Sequence, residues 1–463
     1  MFRLKILIAG AGKVGRAVTR KLSAEGHDLT LIDTDPAELK AAADRFDVMS
    51  CEGNCATMAT LREAGVMDAD VLIAATTRDE VNLLCCMTAV GMNPDVHTIA
   101  RIRDPAYLPQ VYAMQQKFSL SMTVNPEKAA AEEIERLIRF PGFLRREAFA
   151  RGKIQLTELR VGADSPLKDL ALRDLGSVIN GQMLVCCVLR DGKGIIPSGD
   201  FVLRQDDRIF VTGSVDDLAS VLKSLGIITR KVRKVFICGG GTVSYYLALQ
   251  LSKKRGMNVK IIEKDPDRCR ELEQQLPDVC VVNANAGDMN TLDSEWASDS
   301  DAFISLTGLD ELNILLSMYA DSLRIPQIVT KVGRGPDNFR ILDDLPIGAV
   351  ICPKELCCNS IVRYIRAIGN QEGAARSIHF IADGQCCAIE FEADAMTHHL
   401  DEPLKDQHLR DNALLACIIR RGKTIYPNGE TVIKRGDTVI VVSDASPDIR
   451  SLNDIFEDRA YEL

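Results

Sequence analysis

Two kinds of hydrophobic pattern alternate along the first part of this chain. Short apolar runs rich in β-branched residues are followed by stretches with apolar positions at helical spacing, as in KILIAGAGKVGRAVTRKL at residues 5–22. This alternation is typical of βαβ units around a parallel sheet. It predicts strands near residues 4–9, 28–33, 47–50, 70–75 and 97–102, with helices between them. We therefore expect a Rossmann-like α/β domain in this region.

After about residue 140 the pattern changes. The runs at 153–161, 183–192 and 207–214 are separated by Gly, Pro and Asp turns, and a helical pattern follows the last of them. Strands without intervening helices indicate a small α+β domain.

Both patterns then occur a second time. Residues 5–36 are matched by KVFICGGGTVSYYLALQLSKKRGMNVKIIEKDP at 234–266, and residues 203–226 are matched by 433–456. The sequence therefore predicts two long halves, each a Rossmann-like domain followed by a small α+β domain. Interrupted periodicity near 139–143, 226–234 and 367–375 gives domains of residues 1–140, 141–228, 229–370 and 371–463.

Composition narrows the class of protein. The net charge is −9, which argues against a general nucleic-acid binder, because such proteins carry a basic footprint. We expect neither a signal peptide nor a membrane span. Eight of the 15 cysteines form adjacent pairs in apolar runs, which favours buried, reduced thiols. Cys51 with Cys55, and the histidines at 398, 399 and 408, are weak metal candidates, and we expect no metal site.

Gly10, Gly12 and Gly15 follow the first apolar run in the spacing G-x-G-x-x-G. In such a loop the first glycine permits a tight turn, the second lets a phosphate approach the backbone, and the third lets the helix pack closely on the sheet. Free N–H groups at the helix start then attract the phosphate. Asp33 ends the second predicted strand, where a carboxylate bonds both ribose hydroxyls and repels a 2′-phosphate, so NADP is disfavoured. The alternative is a turn in an α/β domain that holds no ligand.

Other polar residues follow predicted strands. Arg101 and Arg103 are candidates to reach the phosphates as forked donors, although solvated surface arginines are the alternative. Thr76 and Asp79 end another strand and could line the same crevice, since open α/β sheets bind ligands at the carboxyl edge.

The second glycine loop departs from the first. Gly239 and Gly241 are kept, but Ser244 stands at the helix-packing position, and Glu263 takes the place of Asp33. The added hydroxymethyl group is expected to shift the helix from the strand and weaken the phosphate contact. A structural copy without a ligand stays an open alternative for this half.

Taken in order, the glycine loop, Asp33, REAGVMDADVLIAATTRDEVN, IARIRDP and the small α+β domain, all of it duplicated, resemble the TrkA family of Trk potassium uptake systems. The resemblance covers essentially the full chain and includes four RCK domains in the order N-C-N-C. It implies a cytoplasmic regulatory subunit, peripheral on the inner face of the membrane, that forms a homo-oligomer, a dimer or a tetrameric ring. Such a subunit gates a Trk-type potassium-translocating membrane subunit according to the bound nucleotide, which is ATP, ADP, NAD or NADH in the family.

The resemblance also implies site residues in both halves. In the first half they are Gly10, Gly12, Lys13, Val14 and Gly15 on the phosphate loop, Asp33 on the ribose, and Thr76 and Arg101 in the rest of the pocket. In the second half they are Gly239, Gly241, Thr242, Val243, Glu263, Thr307 and Lys331. The family's GDA turn after the third strand is GNC at 53–55 and ANA at 284–286, which puts in doubt any cation or ribose contact there.

An NAD-dependent oxidoreductase that uses the first Rossmann domain is the alternative function. Nicotinamide chemistry needs a positioned acid or base and a substrate pocket. His27 falls in a helix-to-strand turn and His97 begins a strand, and a second nucleotide fold stands where a substrate domain would follow. We therefore expect no enzyme and no catalytic residues; a scaffold that binds nucleotide only for stability is a third hypothesis.

Overall fold

The computed structural model describes residues 3–113, 117–139, 146–149, 154–226, 232–333, 345–368, 377–382, 385–444, 449 and 451–457. The chain divides into two compact units, Met1–Ile138 with Val232–Ile365, and Arg139–Lys231 with Arg366–Leu463. The sequence stretches that suggested domain boundaries lie largely outside the described residues, so the four boundaries stay predictions.

The first unit contains two parallel six-stranded sheets of the same topology. The first sheet has the order β3-β2-β1-β4-β5-β6, and its strands are β1 (Lys5–Ala9), β2 (Asp28–Asp33), β3 (Met49–Glu52), β4 (Val71–Ala74), β5 (His97–Arg101) and β6 (Met122–Val124). Its helices are α1 (Lys13–Ala24), α2 (Pro36–Ala43), α3 (Met58–Glu63), α4 (Asp79–Met92), α5 (Leu108–Ala113) and α6 (Pro126–Arg139). The order confirms the Rossmann-like fold, with the topological switch point between β1 and β4.

The central strands are buried on both faces, which is why their sequences are continuous apolar runs. The prediction was less accurate at the edge. Strand β3 begins two residues later than predicted because only Cys51 of its four residues is buried, and the three-residue β6 was missed.

The second sheet repeats this arrangement in the order β14-β13-β12-β15-β16-β17. Its strands are β12 (Lys234–Cys238), β13 (Asn258–Glu263), β14 (Cys280–Asn283), β15 (Ala302–Ser305), β16 (Gln327–Lys331) and β17 (Ala349–Ile351). Its helices are α8 (Thr242–Ser252), α9 (Pro266–Gln275), α10 (Met289–Ser294), α11 (Asp310–Ser322) and α12 (Pro353–Ile368). Helix α7 (Val215–Ser224) belongs to the small domain that precedes them.

The closing helix of each Rossmann-like domain packs on the other domain. On α6, Leu137 accepts a hydrogen bond from Gln327 of β16 at 2.7 Å. On α12, Glu355 forms ion pairs with Arg20 at 3.0 Å and Lys21 at 3.3 Å on α1. This exchange joins the two domains into one apolar core, which runs from Ile134 and Leu137 to Val235 and Leu247.

The second unit contains two antiparallel five-stranded sheets, which confirms the small α+β domains. The first, of order β10-β9-β11-β8-β7, consists of β7 (Arg146–Phe149), β8 (Ile154–Arg160), β9 (Leu184–Arg190), β10 (Lys193–Ile195) and β11 (Arg208–Ser214), and α7 (Val215–Ser224) follows it. The second, of order β18-β19-β22-β20-β21, consists of β18 (Ser377–Ile381), β19 (Cys386–Glu392), β20 (Ala413–Arg420), β21 (Lys423–Ile425) and β22 (Thr438–Asp444).

The two small domains contact each other directly. The Tyr426 hydroxyl accepts a hydrogen bond from the Ser214 amide at 2.9 Å and donates one to Asp217 at 2.8 Å. The Thr212 hydroxyl donates to the Ala416 carbonyl at 3.0 Å. These polar contacts surround a shared apolar core.

Candidate nucleotide-binding crevices

Gly10 and Gly15 are required by packing within the first loop. Gly10 has φ 103°, and a Cβ there would lie 2.9 Å from the Ala75 carbonyl oxygen. A Cβ on Gly15 would lie 1.8 Å from the Gly10 carbonyl oxygen, a distance that no side chain can adopt. The loop therefore brings the end of β1 against β4 and the start of α1 against the loop itself.

Gly12 and Gly241, in contrast, are not required by packing against other residues. A Cβ at either position would meet no described protein atom within 4 Å, so each backbone borders open space. Both residues begin a helix that has no side-chain cap and no acidic residue in its first turn among the described residues, whereas Asp35 caps α2. The N–H groups at these helix starts therefore face a space that suits a phosphate.

The remaining predicted loop residues lie at the same two helix starts. Lys13 and Thr242 are the first residues of α1 and α8, and Val14 and Val243 follow them with 4% and 6% of their surface exposed. The valines anchor each helix in the core, while the residues before them border the crevice.

Asp33 and Glu263 hold the loops from the ends of their strands. Asp33 accepts a hydrogen bond from the Ala11 amide at 2.6 Å and another from the Asp35 amide at 3.0 Å. Glu263 accepts the equivalent bonds from Gly240 at 2.6 Å and Asp265 at 2.9 Å. Each carboxylate oxygen has further lone-pair capacity, which suits ribose hydroxyls.

Ser244 changes the second loop less than its sequence suggests. It is fully buried, and its hydroxyl donates to the Gly239 carbonyl, the counterpart of the carbonyl that Gly15 approaches. Gly239 keeps φ 100°, and Gly241 keeps the extended conformation of Gly12. The loop conformation is therefore retained, and the shift of the helix from the strand stays a prediction.

A buried asparagine joins the other two strand ends in each crevice. Asn82 accepts hydrogen bonds from the amide and hydroxyl of Thr76 at 2.9 and 2.7 Å, and it donates to the Arg101 carbonyl at 2.8 Å. Asn313 makes the same three contacts, with Thr307 at 2.8 and 2.7 Å and with the Lys331 carbonyl at 3.0 Å. Thr76 and Thr307 are therefore held by this network at the crevice edge.

The asparagines were not predicted as site residues, although their signal was visible. The segments RDEVN and LDELN place an acidic pair and an asparagine at the same spacing in both halves. Asp79 of this motif accepts from the Arg103 and Asp104 amides, each at 2.8 Å, and Asp310 accepts from the Gly333 amide at 2.8 Å. The motif therefore shapes the loop that follows the next strand.

Two arginines in the first crevice retain unused donors. Arg101 contacts Glu127 at 3.5 Å, yet the Nε atoms of Arg101 and Arg103 are buried and make no hydrogen bond within the described residues. The acceptor atom Oε2 of Glu127 is also buried and makes no hydrogen bond within the described residues. Burial lowers the pKa of Arg101, although the charge of Glu127 opposes this effect. Arg101 ends β5, at the carboxyl edge of the sheet where open α/β folds bind ligands.

Lys331 is the corresponding cation of the second crevice. Its ammonium donates to the Leu306 carbonyl at 3.2 Å. Burial lowers the pKa of Lys331, Asp310 and Glu127 oppose that shift, and Lys13 adds to it. The charge of Glu127 thus raises the pKa of both Arg101 and Lys331.

We expect the affinity of the second crevice for a nucleoside triphosphate to fall as the pH rises on the alkaline side of neutrality. The pKa of Lys331 is lowered without ligand, and a bound phosphate favours the charged ammonium and raises it. Between these two pKa values binding takes up a proton, so affinity decreases with pH. Calorimetry in buffers of different ionisation enthalpy measures this uptake. Lys331→Met should bind about 10-fold more weakly or worse, without the proton uptake; unchanged proton uptake in that variant would contradict the assignment.

The two crevices differ beside the carboxylates that are predicted to bind ribose. Glu38 of α2 forms an ion pair with Arg16 near the first loop. At the corresponding position of the second half, Arg268 donates from Nε to the Gly240 carbonyl at 2.8 Å. This arginine, which also pairs with Glu271 at 2.8 Å, was overlooked in the sequence. It places a cation where the first half has the Glu38 carboxylate.

Two further sequence expectations concern turns and metals. Asn54 and Asn285 occupy the turns after the third strands, and their side chains accept from the amides of Ala56 and Gly287, each at 3.0 Å. These asparagines close the turns locally.

The histidines were weak metal candidates. His399 pairs with Glu402 at 2.9 Å, and no group of three metal-ligating side chains occurs among the described residues.

The cysteines of the adjacent pairs agree with the expectation from composition. All eight cysteines of the adjacent pairs are free and buried. In the part of the chain that the structure describes, every helix is too short or too polar to cross a bilayer.

Known proteins share this architecture. The crystal structure of the GsuK RCK domain matches with a TM-score of 0.61 at 17% identity and covers 95% of this chain and 92% of that one. The GsuK channel bound to NAD matches with a TM-score of 0.60 at 17% identity over 95% of this chain and 77% of that one. At this level of identity the likeness shows the fold alone.

The chain is a duplicated arrangement of two Rossmann-like domains, each followed by a small α+β domain. The family models for the TrkA-N domain match residues 6–122 and 235–353, and the TrkA-C domain model matches 156–226. The Trk system potassium uptake protein TrkA homolog 1 of Methanosarcina mazei is 30% identical over 456 residues, which are 96% of this chain and 98% of that protein. The Trk system potassium uptake protein TrkA of Halomonas elongata is 32% identical over 396 residues, 82% of this chain and 84% of that protein. The chain belongs to the TrkA family.

Proposed function

We propose that this chain is a cytoplasmic, nucleotide-binding regulatory subunit that gates a Trk-type potassium-translocating membrane subunit. The observation that carries this proposal is the pair of like crevices in one compact unit, whose two domains exchange their closing helices. The names of the relatives, all of them potassium uptake proteins, support the transport system.

The ligand is a nucleotide with a free 2′-hydroxyl, either NAD(H) or ATP and ADP. The fit rests on the open space before Gly12, the Asp33 carboxylate and the unused donors of Arg101 and Arg103. Gly12 and the α1 amides would hold phosphate, Asp33 the ribose, and Thr76 and Arg101 the rest. Gly241, Glu263, Thr307 and Lys331 would do the same in the second crevice.

The gating mechanism requires that different nucleotides favour different arrangements of the chain. A ligand shifts a two-state equilibrium only through its differential affinity for the two states. The number of phosphates changes the negative charge beside Arg101 and thus its attraction to Glu127. Since Glu127 lies on a helix that packs on the other domain, a change at this ion pair is transmitted between the two domains.

An NAD-dependent oxidoreductase is less compatible with the positions of the histidines. His97 begins β5, and the ring of His27, just before β2, accepts from the Leu4 amide at 3.3 Å. Both lie at the amino ends of strands, away from the carboxyl edge where a cofactor binds. We therefore propose that the chain is not an enzyme.

Potassium flux through vesicles that contain the membrane subunit and this chain tests the proposal. We expect flux with ATP and flux with ADP to differ by about 5-fold or more, in line with allosteric couplings of about 1–3 kcal/mol. The variant Arg101→Gln should bind nucleotide but reduce that difference, because the guanidinium no longer senses phosphate charge. Equal flux with ATP, with ADP and without nucleotide, despite normal binding, would support a scaffold instead of a gate.

The same proposal places the chain in a homo-oligomeric ring, or a dimer, beneath the membrane subunit. The exchange of closing helices already pairs two nucleotide-binding-type domains within each chain. Sedimentation of the purified chain with and without the membrane subunit gives the number of chains in the assembly.

A further inference from the structure

The shared core of the two small domains contains several thiols. They lie among aliphatic side chains on strands of both sheets and are Cys186, Cys187, Cys386 and Cys417. The nucleotide crevices in the other unit make no use of this cluster.

Two of these thiols face each other across the domain boundary. Sγ of Cys187 on β9 lies 3.0 Å from Sγ of Cys386 on β19, although 199 positions separate them in the chain. Both residues are fully buried, and both are free. A disulfide has an S–S length of about 2.05 Å, so the sulfur atoms need to approach by about 1 Å to form one.

The surroundings of Cys386 leave room for its sulfur. A Cβ on Gly194 of β10 would lie 2.7 Å from this Sγ, so the glycine provides the space that the thiol occupies. Cys386 is the first residue of β19 and directly follows the exposed Gln385.

The contact is chemically asymmetric. The hydrogen bond from the Cys187 thiol lowers the pKa of Cys386, while burial opposes that shift. The same contact, reinforced by burial, raises the pKa of Cys187. A lowered pKa favours the thiolate, which is the form that reacts with an oxidant, and the second cysteine lies within reach of the first.

When the two small domains exchange roles, the position equivalent to the Cys187–Cys386 contact contains only one thiol. Cys187 pairs with Phe210 just after a register shift, and Cys417 pairs with Ile440 at the same place in the second sheet. Cys386 is opposite Asp444 as Ile154 is opposite Ser214. The counterpart of the Cys187–Cys386 contact is therefore Cys417 with Ile154.

We propose that Cys187 and Cys386 are an oxidation site that forms a reversible disulfide between the two small domains, with hydrogen peroxide as the oxidant. The Cys386 thiolate attacks one peroxide oxygen, which breaks the O–O bond and, with a proton, gives a sulfenic acid and one water. The Cys187 sulfur then attacks the sulfenic sulfur, the S–S bond forms, and the hydroxyl leaves with the Cys187 proton as a second water. Two thiols are oxidised and one peroxide is reduced to two waters; a dithiol reductant reverses the bond and itself becomes a disulfide.

Peptide mapping of the full chain under non-reducing conditions tests this site. Trypsin places Cys186 and Cys187 together in residues 174–190, and Cys386 and Cys387 together in residues 377–405. The double variant Cys186→Ala/Cys387→Ala leaves one cysteine in each peptide, so a cross-link between them has a single assignment. After treatment of the native protein with peroxide and alkylation of the remaining thiols, we expect these peptides to be linked and a dithiol to release them.

Matched variants test whether the cross-link is specific to Cys187 and Cys386. Cys187→Ala and Cys386→Ala should lose the cross-link, whereas Cys417→Ala, in an equally buried position, should keep it. In the wild-type protein the alkylated thiols should fall by two from 15. Two results with the native wild-type protein would overturn the proposal without any variant. One is that peroxide removes no thiols; the other is that Cys386 is linked to Cys417 as readily as to Cys187.

Discussion

The substitution Gly15→Ala is expected to destabilise the first nucleotide-binding-type domain and to abolish nucleotide binding in its crevice. The new methyl group would lie 1.8 Å from the Gly10 carbonyl oxygen, so the helix or the loop must move. Overpacking of this kind costs about 1–3 kcal/mol of the free energy of unfolding. Chemical denaturation measures the stability, and calorimetry measures the number of nucleotides bound per chain.

Gly12→Ala is the matched control for this variant. Its methyl group meets no described protein atom within 4 Å, so the free energy of unfolding should change by no more than about 1 kcal/mol. The methyl group would nevertheless occupy the space before the α1 amides, and the affinity should fall. If Gly12→Ala bound nucleotide as tightly as the wild type, the phosphate would not lie at this loop. If Gly15→Ala were as stable as the wild type, the loop packing described above would be wrong.

Asp33→Ala is expected to weaken nucleotide binding in the first crevice by about 100-fold or more. The carboxylate would accept hydrogen bonds from two ribose hydroxyls, and each bond to a charged group contributes about 1.5–3 kcal/mol. The variant also loses the contact that holds the Ala11 amide at 2.6 Å. Calorimetry should show one weakened site per chain, while the second crevice, with its own Glu263, keeps its affinity.

The variant Asp33→Asn tests the charge of this side chain separately from its shape. Its amide oxygen can still accept from Ala11, but the charge that repels a 2′-phosphate is gone. We expect the preference for NADH over NADPH in the first crevice to decrease in this variant. Unchanged nucleotide affinity in both Asp33 variants would place the ribose elsewhere.

The sequence predicted the sheets because their central strands are buried on both faces and therefore read as continuous apolar runs. It also located Asp33 and Glu263, since the end of a strand fixes where such a side chain stands. The exchange of α6 and α12 was not predictable, because an amphipathic pattern shows that a helix has a buried face but not which domain covers it. The same limit applies to Glu127, whose effect on both crevices depends on that exchange.

Ser244 shows how a departure from a motif can be compensated. The sequence indicated a steric conflict with the loop, and the structure resolves it with a hydrogen bond to the Gly239 carbonyl. Arg268 shows the opposite case, a residue outside the motif that changes its chemistry. The first contact spans 5 positions and the second 28, and neither is visible in the spacing of the motif itself.

The exchange of closing helices has a consequence for how the two crevices can diverge. In a symmetric pair of identical chains, every substitution would alter both crevices at once. Here the pair is covalent, so Glu38 in one half and Arg268 in the other could arise separately while the packing of α6 and α12 kept the partners matched. Duplication within one chain thus lets the residues around each crevice diverge independently while the two domains stay paired.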